Sequence, residues 1–376
     1  MTNISLILLA AGSSSRFNQK VKKQWIRIDD KPLWQFVADN FKKTSLFNNI
    51  YITASKDDIS YMQNFGDYQI VLGGETRQES IKNVLKYIND EYVIISDIAR
   101  ACIDMQTIKK LIEKKESYDV VVPYLNISDT VVYDDKTINR ENLKRIQTPQ
   151  ISKTNILKKA LQTSAQYTDE SSAIVAYGGK RGYIKGSLEA DKITFIEDLK
   201  KIPCLKAPLA DIFSGIGFDV HQFDDTKSYM VLCGEKIKCG FGCKAHSDGD
   251  VALHALIDAL LGACGMGDIG ELFPDTDEKY AGIDSKKLLK DVVTKIHNYG
   301  YKIINVDLTI IAQTPKLSSY KNMFRNNIAK ILEIEPIKVN IKATTTEKLG
   351  FTGRKEGIAT QAIANLKYFN WKEIGK

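Results

Sequence analysis

No stretch of this chain approaches the run of about eighteen apolar residues that a membrane-spanning helix needs, so no span is expected. The N-terminus, Met1 to Arg16, lacks the basic start and small-residue cleavage site of a signal peptide. Its apolar run, Ile4 to Ala11, reads instead as a buried first strand, and a cytoplasmic setting is expected. The six cysteines form no C-x-x-C pair. In a chain of this length without a secretory signal they read as reduced thiols rather than a disulfide framework. Cys233, Cys239 and Cys243 cluster in sequence and keep a metal site open, but thiols in or near strands and turns are the plainer reading. The formal net charge is +7, yet no basic block is interleaved with aromatics. That argues against nucleic acid and suits anionic small molecules such as phosphates. There is no internal repeat, no low-complexity segment and no Walker A pattern. Histidine is scarce, with only His221, His246, His254 and His297.

What is present is enough for two cores. The 376 residues are 43% hydrophobic and 26% charged, too long for one average domain and comfortable for two. The first half alternates short apolar runs (Ile4–Leu9, Asn49–Ala54, Gln69–Leu72, Tyr92–Ser96, Asp119–Pro123) with amphipathic stretches (Leu33–Lys43, Arg77–Ile88, Met105–Lys115). That alternation predicts an α/β domain with a Rossmann-like, mostly parallel sheet and helices on both faces. Two prolines, Pro203 and Pro208, break the pattern. We therefore place a first domain at 1–207, a linker at 208–213 and a second, α+β domain at 214–376. The second half reads as a strand at Gly215–His221, an apolar helix at Asp248–Ala263, a helix at Ser285–Asn298, strands at Lys302–Ala312 and Val339–Thr344, and a helix at Glu356–Lys367.

Chemistry-bearing residues fall at predicted strand ends. Ala10-Ala11-Gly12-Ser13-Ser14-Ser15-Arg16 follows the first strand, and small residues there let backbone N–H groups meet a phosphate. Arg16 and Lys23 add positive charge. Gly73-Gly74-Glu75-Thr76-Arg77-Gln78-Glu79-Ser80 follows the third strand, Asp97-Ile98-Ala99-Arg100 the fourth, and Asp129-Thr130 the fifth. Ligands of open parallel sheets bind beyond the carboxyl ends of the strands, and an Asp placed there is a natural partner for Mg²⁺. Taken singly, each of these is an ordinary turn or a surface carboxylate; the joint arrangement favours a site.

In the second half, Asp219 and His221 stand two apart on a predicted strand and share a face. His254 lies in an almost wholly apolar helix, where a ring needs a partner. Alone it would read as a hydrogen-bonded core histidine. Together the three make the two-imidazole, one-carboxylate set of a catalytic Zn²⁺ site, with Mn²⁺ and Co²⁺ also compatible. His297 sits late in another helix and carries no motif. Gly265-Met266-Gly267-Asp268-Ile269-Gly270 matches G-x-G-x-x-G but follows a helix rather than a strand, so dinucleotide binding is rejected.

On these motifs, with Thr148-Pro149-Gln150, Thr168-Asp169-Glu170 and Asp191-Lys192-Ile193-Thr194, residues 4–199 resemble 2-C-methyl-D-erythritol 4-phosphate cytidylyltransferases, which have a nucleotidyltransferase fold. Ser14, Ser15 and Ala101 depart from that family's pattern of a second Gly, a second basic residue and a Pro. The resemblance implies transfer of CMP from CTP to methylerythritol phosphate, with Arg16 and Lys23 stabilising the transition state. It implies that Gly12, Gly73, Arg77 and Ser80 hold the nucleotide, that Asp97 places Mg²⁺, and that Thr130, Arg140 and Lys192 bind the sugar phosphate.

Residues 214–370 resemble 2-C-methyl-D-erythritol 2,4-cyclodiphosphate synthases. The resemblance rests on Gly217-Phe218-Asp219-Val220-His221, Ala245-His246-Ser247-Asp248-Gly249-Asp250, Leu272-Phe273-Pro274-Asp275-Thr276-Asp277, Ala312-Gln313-Thr314-Pro315-Lys316 and Lys342-Ala343-Thr344-Thr345-Thr346-Glu347-Lys348-Leu349-Gly350-Phe351-Thr352-Gly353-Arg354. It implies cyclisation of the diphosphocytidyl methylerythritol 2-phosphate with release of CMP. Asp219, His221 and His254 would hold the metal, and His246 and Thr345 would stabilise the transition state. Ser247, Asp268, Ile269, Gly270, Phe273, Asp275, Asp277 and Thr346 would contact substrate, and Glu347 a second ion, Mg²⁺ or Mn²⁺, on the diphosphate. Ala312, Pro315, Lys316, Thr344, Phe351 and Arg354 would form the cytidine end.

The resemblance further implies a homotrimer through the second domain and, combined with the dimer habit of cytidylyltransferases, a possible hexamer. The two reactions are not consecutive, so an outside ATP-dependent kinase, itself a candidate partner, would act between them. The rival readings are a cytidylyltransferase whose second domain only binds metal and assembles subunits, and a CTP-binding regulatory protein without turnover.

Overall fold

The structure, a computed structural model, describes residues 3–102, 104–274 and 276–374. They divide into two compact units. One runs to Ala207 and takes in the residues from Asn370 on; the other spans Pro208–Phe369.

The first unit is built on an eight-stranded sheet in the order Lys144–Ile146, Val120–Asn126, Gln150–Lys153, Tyr92–Asp97, Ile4–Leu9, Asn49–Ala54, Gln69–Leu72, with Arg181–Lys185 pairing Val120–Asn126. The four strands from Tyr92–Asp97 to Gln69–Leu72 are parallel. Gln150–Lys153 is inserted antiparallel between Tyr92–Asp97 and Val120–Asn126. Ile4, Leu6, Ile7, Leu8 and Val93, Ile94, Ile95 are buried, as expected for strands covered on both faces. The chain works outward from Ile4–Leu9 to one side and then crosses to Tyr92–Asp97 on the other. Their carboxyl ends, with Leu9 opposite Asp97, therefore flank the point where strand order reverses, the place where such sheets bind ligands. The helix Arg77–Leu85 begins there, its start fixed by a capping box between Thr76 and Glu79.

In the first unit two expectations need correction. Cys102 and Cys204 are not separate thiols. Although 102 residues apart, they are brought together with Cα atoms 5.9 Å apart and joined as a disulfide. The other four cysteines remain thiols. Residues 370–374, read as part of the tail of the second domain, belong to the first unit. Trp371 is buried there and its indole Nε1 donates to the carbonyl of Arg27 at 2.9 Å. A large ring with one polar atom gains from a buried slot with an acceptor at its end.

The second unit has a five-stranded sheet ordered Gly242–Cys243, Ile212–Asp224, Gly357–Tyr368, Tyr301–Ile311, Val339–Thr344. All neighbours are antiparallel except the last pair. Residues 356–367, expected as a helix, form the sheet's middle strand. Its buried positions from Ala362 to Tyr368 alternate with more exposed ones, a period of two that its Ala-rich composition disguises. The apolar helix Val251–Cys264 packs on the strands Ile212–Asp224 and Gly357–Tyr368. It comes so close that a Cβ on Gly217 would lie 1.9 Å from the carbonyl oxygen of Ala255, and one on Gly215 2.1 Å from that of Ala259. Among the described residues no helix is long and apolar enough to cross a membrane.

Candidate functional sites

A cavity of about 620 Å³ opens at the strand ends of the first unit and is lined by Gly12 through Arg16, Lys23, Gly73 through Arg77, Ser80, Asp97 and Lys192. Eight residues singled out from the sequence therefore meet: Gly12, Arg16, Lys23, Gly73, Arg77, Ser80, Asp97 and Lys192. The loop holding Gly12 is stitched down by a buried amide. The Gln24 side chain donates to the Gly12 carbonyl at 3.1 Å and to Asp58 at 3.2 Å, and accepts from the Ser14 hydroxyl at 2.9 Å. Ser14 sits at φ 59, a left-handed conformation costly for a residue with a Cβ, and its oxygen accepts the Lys23 backbone N–H at 3.1 Å. Ser14, where the related pattern has Gly, thus ties the loop to Lys23. The Lys23 ammonium donates to the Ile193 carbonyl at 2.9 Å. Burial, then the neighbouring charge of Lys192, lower its pKa to about 8.

Asp97 stands in the middle of this charge. It accepts from Arg77 at 3.3 Å and from Lys192 at 2.5 Å. Burial works against its ionisation, but Arg77 and Lys192 prevail and hold it down to about 2. Arg77 is fixed from behind by an ion pair with the fully buried Glu170. A second cavity, about 320 Å³, shares Arg77, Asp97 and Lys192 and adds Arg100, Thr148, Thr168, Asp169 and Arg181. Arg100 and Arg181 were not singled out. Arg100 stood inside the Asp97-x-x-Arg100 stretch, but nothing in the sequence marks Arg181, which enters from the distant strand Arg181–Lys185. Thr130 and Arg140 line neither cavity. They flank an exposed two-stranded arm, Val131–Tyr133 and Lys136–Ile138, closed by Asp134 and Asp135 at positive φ, a mirror-type hairpin turn.

In the second unit a cavity of about 350 Å³ is lined by Asp219, His221, His246, Ser247, His254, Asp258, Ile269, Gly270 and Phe273 among others. Alternation along the strand Ile212–Asp224 puts Gly215, Gly217, Asp219 and His221 on one face. The two glycines admit the helix, which brings His254 to Asp219. Asp219 Oδ2 lies 3.2 Å from His221 Nε2 and 3.1 Å from His254 Nδ1. The other His221 nitrogen, Nδ1, faces the Gly249 carbonyl at 3.0 Å. A carbonyl can only accept, so Nδ1 carries a proton, which leaves Nε2, beside Asp219, as the nitrogen that would face a metal ion. Among the described residues these three form the one such group of His, Cys, Asp or Glu, with donor atoms within 4.8 Å of one another. Cys233, Cys239 and Cys243 do not join it. The donor set, acceptors converging on one point, fits a divalent metal ion. With protons in its place, burial pulls the His221 pKa down, but hydrogen bonding to Asp219 overrides this and raises it to about 10. Burial opposes Asp219 ionisation, yet the two imidazoles hold its carboxyl well below the usual range.

The remaining second-unit residues fall elsewhere. Asp268 caps the short helix Ile269–Leu272, its neighbour Ile269 donating to Asp258 at 2.8 Å. Asp277 pairs with Lys279. Asp275 lies outside the described residues. Thr344 ends the strand Val339–Thr344 and is followed by Thr345, Thr346, Glu347, Phe351 and Arg354, while Ala312, Pro315 and Lys316 follow the neighbouring parallel strand Tyr301–Ile311. Ala312 N–H donates to the Thr344 carbonyl at 3.0 Å, and Thr345 donates to Glu347 at 3.1 Å. Arg354 pairs with Glu356 rather than Glu347. None of them lines the cavity around Asp219. Asp258 was missed, although its spacing of four from His254 puts both on one helix face.

A parallel sheet that gathers Arg16, Lys23, Arg77 and Lys192 at its switch point, and a separate α+β unit with a carboxylate–bis-imidazole pocket, define a two-site enzyme of phosphate chemistry. Residues 4–204 match the 2-C-methyl-D-erythritol 4-phosphate cytidylyltransferase family and residues 212–367 the YgbB family. The chain is 60% identical over 371 residues to the bifunctional enzyme IspD/IspF of Sulfurimonas denitrificans, covering 99% of this chain and 96% of that one. It is 54% identical over 374 residues to the protein of the same name from Aliarcobacter butzleri, covering 99% and 100%. The solved structure of the bifunctional IspDF from Campylobacter jejuni matches 98% of this chain and all of its own, at 46% identity and a TM-score of 0.91. The chain belongs to the bifunctional IspD/IspF family, with a cytidylyltransferase domain followed by a cyclodiphosphate synthase domain.

Proposed function

We propose an assignment of residues to the enzyme's two reactions in isoprenoid precursor synthesis. In the first unit a phosphate oxygen of 2-C-methyl-D-erythritol 4-phosphate attacks the α-phosphorus of CTP and pyrophosphate leaves. Such transfers need positioning and charge neutralisation rather than covalent help. Gly12, Gly73 and Ser80, with the start of the helix Arg77–Leu85, hold the nucleotide. Arg16 and Lys23 neutralise charge as it builds on the α-phosphate. Arg77 and Lys192 hold Asp97 ionised, and Lys192 also receives the sugar phosphate. Mg²⁺ carried with CTP and met by Asp97 would supply further charge neutralisation. Thr130 and Arg140, out on their exposed arm, fit a role completed against a second copy of the chain.

In the second unit the 2-phosphate of the diphosphocytidyl methylerythritol attacks the β-phosphorus and CMP leaves. Zn²⁺, or Mn²⁺ or Co²⁺, held by Asp219, His221 and His254 would act as a Lewis acid toward a phosphate oxygen. His246 and Thr345 stabilise the transition state. Ser247, Asp268, Ile269, Gly270, Phe273, Asp277 and Thr346 position the substrate, and Glu347 meets an ion on the diphosphate. Ala312, Pro315, Lys316, Thr344, Phe351 and Arg354 hold the cytidine. That this last group is absent from the Asp219 cavity of one chain supports assembly, as does the open face of the strand Ile212–Asp224. There Ile216, Phe218 and Val220, with Ile363 of the next strand, leave an exposed apolar patch. We assign it to a homotrimer, and the arm of the first unit to pairing of trimers into hexamers. A cytoplasmic location, and contact with the kinase that adds the 2-phosphate between the two steps, complete the reading.

The observation that carries it is the gathering of Lys23, Arg77 and Lys192 around Asp97 at the strand ends. The test is pyrophosphate release from CTP, Mg²⁺ and methylerythritol 4-phosphate, run beside CMP release from the diphosphocytidyl 2-phosphate. Lys23→Ala should abolish the first and spare the second, and His254→Ala the reverse. Pyrophosphate release that survives in Lys23→Ala would overturn the assignment.

A further inference from the structure

The hydrogen bonds behind His254 reach a residue to which no role has been given. Ser285 is fully buried at the start of the helix Ser285–Asn298, 31 residues from His254 in sequence, and its Oγ lies 2.9 Å from His254 Nε2. Asp248 grips Ser285 twice: one carboxylate oxygen accepts the Ser285 hydroxyl at 2.5 Å and the other its backbone N–H at 3.1 Å. A hydroxyl has one proton. With that proton given to the carboxylate, a short charge-assisted bond, the Ser285 oxygen can only accept from the ring. Ser247 Oγ is the longer contact at 3.2 Å, and with two lone pairs it can share the ring N–H while accepting from Gly249. His254 is thereby held with a proton on Nε2, which leaves Nδ1, 3.1 Å from Asp219, as the nitrogen for a metal ion set between them.

We infer that Ser285, backed by Asp248, is a positioning residue of the metal site: it fixes the ring orientation and tautomer that turn His254 Nδ1 toward the ion. The two imidazoles then serve through opposite nitrogens, Nε2 of His221 and Nδ1 of His254, each set from behind by a group that can only accept, the Gly249 carbonyl and the Ser285 oxygen. Outer partners of this kind orient a ligand and raise its basicity. The inference rests on the proposed metal site, and its test separates the two.

The full chain is stripped with chelator and titrated with Co²⁺ alone and Zn²⁺ alone, following the visible Co²⁺ bands and chelator competition. Ser285→Ala should bind roughly 10–100-fold more weakly, with altered Co²⁺ bands. Ser285→Thr, which keeps the hydroxyl, should return both close to the unmutated chain. Unchanged affinity and bands in Ser285→Ala overturn the inference. An unmutated chain that binds neither ion overturns the site itself, and the inference with it. Long-range proton–nitrogen NMR of the unmutated, Zn²⁺-loaded chain gives an answer that needs no variant to fold. A proton on His254 Nε2 and on His221 Nδ1 supports the inference, and a proton on His254 Nδ1 overturns it.

Discussion

Lys23 is an amine under pressure. It is pressed by burial and by Lys192, so that it titrates near pH 8 instead of in the usual lysine range. Its assigned work needs the cation, which is present below that pH and lost above it. The expected outcome is a kcat/KM for pyrophosphate release that falls as pH rises through about 8, since this ratio reports the free enzyme. Lys23→Arg, charged throughout, should lose that alkaline limb while running more slowly. The amide of Gln24 should matter nearly as much. Gln24→Leu removes the bonds to Gly12, Ser14 and Asp58, and removing a buried partner costs about 1–3 kcal/mol. Denaturant unfolding should show that loss, and a loosened Gly12–Ser14 loop should lower kcat/KM for CTP in steady-state kinetics. Lys23 was legible in the sequence because charge beside a small-residue loop has few other readings. Gln24, Asp58, Arg181 and Ser285 were not. A side chain that supports another from a distant segment leaves no local pattern, only a tertiary one.

Among elements, the junction of the strand Ile212–Asp224 with the helix Val251–Cys264 is the most exacting. Gly217→Ala puts a Cβ into the Ala255 carbonyl and must push the two apart. Overpacking typically costs about 1–3 kcal/mol, and backbone contact belongs at the upper end. Denaturant unfolding should show that loss together with weaker Co²⁺ binding, because His254 rides on the displaced helix. Gly262→Ala, on the same helix with nothing within 4 Å of the new Cβ, should instead be neutral or stabilising by up to about 1 kcal/mol. Elements with strong patterns, such as Asn49–Ala54 and Ser285–Asn298, were plain from the sequence. The strand Gly357–Tyr368 was not, because alanine, glutamine and lysine favour helix and only its place in the middle of a sheet decides otherwise. Strand ends told where a site would lie; which residues share a cavity required the sheet order, above all the antiparallel insertion of Gln150–Lys153.

For the whole molecule, the homotrimer proposed for the exposed face carrying Ile216, Phe218 and Val220 makes oligomeric state and cyclase activity one question. Phe218→Asp should reduce the assembly to a smaller species in sedimentation. Cyclase activity should fall by roughly a hundredfold as groups from neighbouring copies lose register, while pyrophosphate release by the first unit is spared of that loss. A variant that stays assembled, or disperses and still cyclises, would refute the assignment of that face.

Trp371 has a consequence in time. The first unit is discontinuous: its buried tryptophan is translated only after the whole stretch from Pro208 to Phe369 has been made. During synthesis the slot beside Arg27 stays unfilled until Trp371 has been made. Synthesis of Trp371, rather than completion of residue 207, is then what allows the unit to be sealed.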